Sequence, residues 1–349
     1  MSRRGNPPLV RSDSVVYTAP GGEVITFDKA GRLYAAFLEG RFHRRGVDGR
    51  MVEKFTAGDT VRRRMDPAQA RRIVRRALEL AQADAVLSLE ELETDAARFK
   101  AVYAGPVPIL PPDLYRALVL QATVGCAYNA CRFCHLYRDR PFRTRGREEF
   151  SSHARAVARL FGAGISMRRG LFLGDADALL IETDHLEQLC DIASGLPPAA
   201  QGIFCFGALF GEPRRSPAEW DALRAAGLRR VYLGIETGND ALRRKLNKPG
   251  SSRDALRLVE ALKRAGIAAG LIFLLGAGGE AFEADHLRDS AALAREADLG
   301  PGDFVYLSPL VTRQGRIAPG RFRNQEAQMR AAIGEGPRVA VYDIRAFVY

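Results

Sequence analysis

Cysteine is scarce in this chain. Five thiols among 349 residues are too few for the disulfide framework of a small secreted domain. No apolar run approaches the length of a bilayer span. The basic start Met1-Ser2-Arg3-Arg4 leads into prolines rather than an apolar signal core, which reads as a cytoplasmic protein with no membrane partner. Acidic side chains are in deficit, 41 against 52 Lys and Arg, leaving a net charge of +11. That excess invites a nucleic-acid reading. Its densest groups, Arg41-Arg44-Arg45, Arg62-Arg63-Arg64 and Arg71-Arg72-Arg75-Arg76, all fall in the first hundred residues. The alternation of basic and aromatic residues that would stack bases is missing. A solvated basic face is therefore the reading, with an RNA groove as the alternative.

What the chain does have is apolar material, 47% of its residues, enough for a large core. Residues 1–12 read as a flexible tail. From Val15 to about Phe55, β-rich pieces at 15–17, 23–27 and 33–37 alternate with glycine-bearing turns, the spacing of a small antiparallel meander. Asp66-Pro67-Ala68-Gln69 opens a helix, with aspartate as N-cap, proline in the first turn and glutamine placed to close a capping box. A second helix covers about 87–103. The proline-rich run 105–112 reads as a linker. It separates an N-terminal unit, 13–112, from a second unit, 113–330, and a C-terminal strand extension, 331–349. In the second unit, strand candidates at 117–122, 170–174, 202–206, 230–236, 269–275 and 304–310 alternate with helices at about 148–163, 183–194, 217–226, 239–265 in two pieces, and 281–298. Ser216-Pro217-Ala218-Glu219 is a second well-formed helix start. Apolar strands with helical crossovers imply a parallel sheet. The final run, 338–344, reads as one more strand, on the sheet edge or returning to the meander.

Three of the five cysteines fall within nine residues, Cys126, Cys131 and Cys134, spaced C-x4-C-x2-C after the first strand of that sheet. Thiols clustered this way are metal ligands. A structural zinc site wants four ligands in a closed tetrahedron, whereas a [4Fe–4S] cube held by three thiolates leaves one iron open. The alternative is a zinc knuckle with His135 as fourth ligand, in an RNA-binding protein. An imidazole directly after a cysteine reaches its neighbour's metal only with difficulty.

Gly125-Cys126-Ala127-Tyr128-Asn129-Ala130-Cys131-Arg132-Phe133-Cys134, followed by Tyr137-Arg138-Asp139-Arg140-Pro141-Phe142-Arg143, resembles the cluster loop of radical S-adenosylmethionine (SAM) enzymes. It is most similar to relatives of coproporphyrinogen oxidase and of the elongator catalytic subunit. The usual spacing there is C-x3-C-x2-C, so one residue is extra. The resemblance implies an open (β/α)6 partial TIM-type barrel with chemistry at the C-terminal strand ends. It implies Cys126, Cys131 and Cys134 as ligands of one oxygen-sensitive [4Fe–4S] cluster. Reductive cleavage of bound SAM would then give a 5′-deoxyadenosyl radical that takes hydrogen from a small or medium organic substrate. A flavodoxin or ferredoxin would supply the electron.

The same resemblance implies cofactor contacts. Phe133 corresponds to the adenine-packing aromatic. Leu173-Gly174-Asp175-Ala176-Asp177 stands where the superfamily often carries Gly-Gly-Glu, making Asp175 the first SAM contact and Asp177 the second, unless Asp177 caps the next helix. Leu233-Gly234-Ile235-Glu236-Thr237-Gly238 resembles the segment whose glutamate meets SAM, with Gly238 allowing close backbone approach. Arg243 would take the SAM carboxylate, in competition with Arg244 and Lys245. Gly276 marks the adenine-side backbone, and Tyr306, Ser308 and Pro309 would border substrate. Arg138, Arg140 and Arg143 face either an anionic substrate or surface partners. Cys190 reads as core; Cys205 is core or, if it points inward, a hydrogen donor. Trp220 reads as packing, and His43, His153, His185 and His286 have no motif context.

With only Cys190 and Cys205 outside the loop, an auxiliary cluster is not expected, and residues 1–110 lack the βαβ pattern of a cobalamin-binding domain. RNA as substrate of the same chemistry stays as an alternative. Protein purified anaerobically should be coloured and carry iron and acid-labile sulfide. A colourless protein with stoichiometric zinc would reject the cluster.

Overall fold

The computed structural model describes residues 7–57, 59–211, 214–312 and 315–349. Its first sheet is a meander of seven antiparallel strands: β1 Leu9–Val10, β2 Ser14–Thr18, β3 Val24–Asp28, β4 Leu33–Leu38, β5 Arg41–Arg45, β6 Met51–Ala57 and β7 Asp59–Arg64. Alternation puts Ile25 and Phe27 of β3 on the inner face with Ala36 and Leu38 of β4, and a register shift at Phe27 brings Leu33 into the same core. That face is covered by α1 Pro67–Ala81, whose Ala70, Val74, Ala77 and Ala81 recur at helical spacing. The meander is longer than its sequence suggests. Leu9–Val10, inside the expected tail, pairs with Val15 and Val16, while residues 1–6 lie outside the described residues. Strand β7 was hidden because its arginines mask the apolar alternation.

Asp66 caps α1 by accepting the Gln69 N–H at 2.9 Å, but Gln69 closes no capping box. Boxes do form at α2 Leu89–Val102, between Ser88 and Glu91, and at α5 Pro217–Ala225, between Ser216 and Glu219. There the third residue is a glutamate, whose charge favours the helix N-terminus.

The second sheet has seven strands, all parallel and paired in sequence order: β8 Leu118–Gln121, β9 Leu171–Gly174, β10 Ile203–Gly207, β11 Leu228–Glu236, β12 Ala268–Leu275, β13 Phe304–Pro309 and β14 Arg338–Val341. Between them run α3 Arg147–Phe161, α4 Thr183–Ser194, α5, α6 Asp240–Lys245 with α7 Ser252–Arg264, α8 Glu283–Glu296 and α9 Pro319–Ile333. Sequence-ordered parallel pairing winds the chain in one direction, so the sheet curls into an open barrel. The six expected strands are present with ends within two residues of expectation. The last strand settles on the edge of β13, pairing Phe304 with Arg338 through Leu307 with Val341, and makes a seventh. Helix α9 was not expected: its buried stripe of Phe322, Gln325, Met329 and Ile333 contains a glutamine, which thins the apolar signal.

Helix α2 joins the two cores, with Leu92 in the first and Phe99 in the second. Arg32, buried in the β3–β4 turn, ties them electrostatically. Its guanidinium pairs with Asp95 and Asp28 and donates to the carbonyl oxygens of Leu160 and Phe161, the latter at 2.9 Å. Those carbonyls are the negative end of α3. Much of the basic surplus is engaged in the same way. Arg44 donates to the Tyr115 oxygen and buried Arg45 to that of Leu92; Arg41 and Arg63 share Glu53. Arg62, Arg72 and Arg75 face solvent. Among the described residues, no helix is long and apolar enough to cross a membrane.

Arg32→Ala leaves buried Asp28 without its cation and buried Asp95 with only the exposed Arg98 at 3.5 Å. It should lower the unfolding free energy by roughly 3–5 kcal/mol, read from the urea midpoint; a loss under about 1 kcal/mol would show that Arg32 is not the tie.

Candidate active site

The cysteine loop begins where β8 ends. Thr123–Val124 pairs antiparallel with Arg143–Thr144, so the two ends of the intervening loop are held together. Inside it, Asn129 takes a left-handed backbone (φ +46°). Its N–H donates to Cys126 Sγ at 3.4 Å and its side-chain amide to the Tyr137 oxygen at 3.1 Å. Arg138 donates to the carbonyls of Cys131 and Cys134, both at 3.1 Å. From the other side, the turn after α6 grips the loop. Asn247 donates to the Ala130 oxygen and accepts from the Tyr128 hydroxyl, both at 2.9 Å, and Arg132 N–H meets the Leu246 oxygen.

Beneath the loop lies Asp175, almost wholly buried. Its carboxylate accepts the Gly125 N–H and the Gln121 amide, both at 3.0 Å, with Arg140 at 3.6 Å. Burial raises its pKa against the pull of Gln121 and Gly125. A carboxylate saturated this way braces the loop, and it does not line the cavity above. The expected SAM contact at Asp175 lies beneath the loop, outside the cavity lining.

Cys126, Cys131 and Cys134 all line one cavity at the C-terminal ends of the parallel strands, together with Phe133, Asp177, Glu236, Ser308 and Pro309. The cavity encloses about 1200 Å³, counting its open mouth. Among the described residues, no group of three or more His, Cys, Asp or Glu is arranged to hold a single metal ion. That spread does not fit a zinc knuckle with His135, which needs every ligand on one ion. It fits a cube, which offers each sulfur a different iron. Burial pushes the Cys131 thiol up to about 11 against the pull of Lys248, with Glu236 and the other thiols adding to the rise, and Cys134 moves the same way. A cationic inorganic core would offset that cost of ionising thiols together.

Asp177 accepts N–H groups from Leu179 and Ala208 at 3.0 and 3.1 Å, so it shapes the turn before α4 while contributing to the lining. Glu236 sits at a register shift between β11 and β12 with φ +63°, a backbone cost typical of functional sites. It pairs with Lys248 at 3.4 Å. Lys248 was missed in the sequence; a lysine in the turn Asn247-Lys248-Pro249-Gly250, on the loop side of a barrel, was the available signal.

The other proposed carboxylate partners lie elsewhere. Arg243 is buried, donates to the Thr237 oxygen at 2.8 Å and stands 3.6 Å from Asp240. Arg244 is exposed, and Lys245 lies over the Phe282 ring. None of the three lines the cavity. Gly238 is required by packing: a Cβ there would stand 2.3 Å from the Asp289 carbonyl oxygen of α8. Gly276, at φ +89°, gives its N–H to Gln325 and faces Ile317, while Gly174 packs on Val119. Cys205 is fully buried and absent from the lining, whereas its neighbour Phe206 lines the cavity; strand alternation turns the thiol toward the helices. Tyr306 donates to Asp113 at 2.5 Å on the inside of the barrel, away from the lining. Arg140 and Arg143 are engaged with Asp139 and Glu149, so with Arg138 they serve as loop and surface ties.

Residues 120–291 match the family model described as the radical SAM superfamily. The match covers just under half of the chain, and members of that superfamily are enzymes that use a [4Fe–4S] cluster and SAM. A 4′-phospho-dehydrooxetanocin synthase of Priestia megaterium is 27% identical over 164 residues, 42% of this chain and 22% of that protein. Among solved structures, the cobalamin-dependent SAM radical enzyme OxsB shares 17% identity over 51% of this chain and 26% of its own, with a TM-score of 0.38. SuiB of Streptococcus suis shares 12% identity over 87% of this chain and 71% of its own, with a TM-score of 0.45. The chain thus spans about a quarter of the length of the first two.

Two histidines without motif context support the site from below. His153 accepts the Gln121 N–H at 3.0 Å, and His286 contacts the Thr237 hydroxyl at 2.8 Å. Burial pushes both down to about 4. The unfolded chain therefore takes up protons below about pH 6.5 that the folded one refuses until about pH 4, so stability should fall through that window by up to ~3 kcal/mol per histidine. Urea unfolding at pH 7 and pH 5 should show the loss, and the double variant His153→Gln/His286→Gln should flatten it. An unchanged slope would mean that these histidines are not the titrating groups.

Proposed function

We propose that this chain is a one-cluster radical SAM enzyme, with Cys126, Cys131 and Cys134 as the cluster ligands. The observation that carries this reading is the convergence of three thiols from one braced loop on a cavity that also receives Glu236 and Lys248 from two other elements. When bound and reduced, the cluster supplies the electron that breaks a carbon–sulfur bond of SAM. The protein's part is to hold and orient. Phe133, packed beside Leu242, Leu274 and Ala277, offers an apolar face for the adenine. Glu236 is placed for the amino or ribose groups, and Lys248 for the carboxylate as a charge-assisted contact. Asp177 also lines the cavity. The hydrophobic lining keeps water from the reacting atoms.

An uncharacterised organic molecule is the substrate in this reading, a reduced flavodoxin or ferredoxin the electron donor, and the cytoplasm the setting. Anaerobically reconstituted protein given SAM and dithionite should form 5′-deoxyadenosine, and Cys134→Ala should reduce this to background. Lys248→Ala should raise the SAM concentration for half-maximal turnover roughly 10- to 150-fold, the worth of one charge-assisted hydrogen bond. Equal 5′-deoxyadenosine from wild type and Cys134→Ala would overturn the assignment.

A further inference from the structure

Apart from Asp177, whose carboxylate is engaged by the N–H groups of Leu179 and Ala208, the ionisable groups of the cavity gather by the cysteine loop. Lys248 follows Asn247, which bonds the cysteine loop at Tyr128 and Ala130, and pairs with Glu236 at 3.4 Å, so this pair lies on the thiol side. The lining contributed by Ile109, Phe206, Ile272, Leu310 and Ile344 is apolar. Despite the net charge of +11, Lys248 is the single Lys or Arg among the described lining residues, and it is paired with Glu236. The arginines that follow the cysteine loop are turned to carbonyls and carboxylates of the protein. An anionic substrate would therefore find no free cation among the described lining residues, and burying its charge unpaired is costly.

One polar group on this wall is out of balance. Tyr342, just past β14, lines the cavity with only 2% of its surface exposed. Its backbone N–H meets the Leu307 oxygen at 3.0 Å, and its ring lies 5.6 Å from that of Tyr306, edge to face. In the row Tyr232–Tyr306–Tyr342, the first two hydroxyls are satisfied by Asp113, at 2.6 and 2.5 Å. The Tyr342 hydroxyl has no hydrogen-bond partner. Buried phenols normally have one, because an unmet hydroxyl is destabilising. Tyr342 also lies beyond residues 120–291, the segment matched by the superfamily, so this feature comes from the C-terminal strand.

We propose, resting on the radical SAM reading above, that the substrate is an uncharged and largely apolar molecule with one hydrogen-bonding group, and that Tyr342 is the residue that positions this group. The phenol can donate to a carbonyl or ether oxygen, or accept from a hydroxyl or amide. The apolar wall receives the remainder.

Three para-substituted toluenes test this: 4-methylphenol and 1,4-dimethylbenzene, matched in size, and the charged 4-methylbenzoate, titrated by ligand-observed NMR into anaerobically reconstituted protein saturated with SAM. In the wild type, 4-methylphenol should bind roughly tenfold more tightly than the dimethylbenzene, and the benzoate at least about tenfold more weakly than the phenol. Tyr342→Phe, which keeps the ring, should erase the advantage of the phenol and leave dimethylbenzene binding unchanged. The wild-type order stands as a test by itself should the variant fail to fold. Benzoate binding as tight as the phenol, an advantage that survives Tyr342→Phe, or binding of none of the three would overturn the proposal. Iron and sulfide content, measured on the same samples, separates the two readings: protein that holds its cluster but shows one of these results loses only the substrate assignment.

Discussion

Asp175 is the contact on which the site depends. The cysteine loop is polar, half exposed and stretched between the ends of two short strands, so nothing in its own composition fixes it. A buried carboxylate at the end of β9 accepts from the backbone at Gly125 and the side chain of Gln121, and so joins the first residue of the loop to both β8 and β9. In a low-dielectric interior such charge-assisted hydrogen bonds are strong when complete and costly when incomplete. Arg140 completes the set at 3.6 Å while donating to the Ala104 oxygen. One charge thus couples the loop, two barrel strands and the segment leading out of α2.

The rest of the site is assembled around that anchor from elements far apart in sequence. The turn after α6 brings Asn247 to the loop and Lys248 to Glu236. Helix α8 holds the turn after β11 through His286, Ser290 and the close approach at Gly238. The strand β14 closes the far wall with Tyr342. Each is set by packing of buried surfaces, and the barrel supplies the common face toward which the strands' C-terminal ends point.

Two groups of polar residues that look alike in sequence divide in space. Asp175 and Asp177 are two positions apart, yet one braces the loop from below and the other lines the cavity. Arg243 and Lys248 are both cations after β11, yet the first is buried against Thr237 and the second reaches Glu236. Strand alternation and the turn of a short helix make that division, because moving by one or two residues changes which side of the sheet a side chain meets.

The sequence by itself determined the order and limits of the barrel strands, the helix starts at Asp66 and Ser216, and the trio of cysteines with its aromatic neighbour. These are local signals: apolar period, capping residues and ligand spacing within one loop. It also placed Glu236, because a motif residue at a strand end keeps its position when the strand is right. Only the tertiary structure decided which of the charged residues line the cavity and which lie beneath or away from it, that Cys205 faces the helices, and that Tyr342, just past β14, lines the cavity. The reason is physical. Burial, hydrogen-bond saturation and proximity between residues more than a hundred positions apart are properties of the packed chain, and no window of sequence contains them.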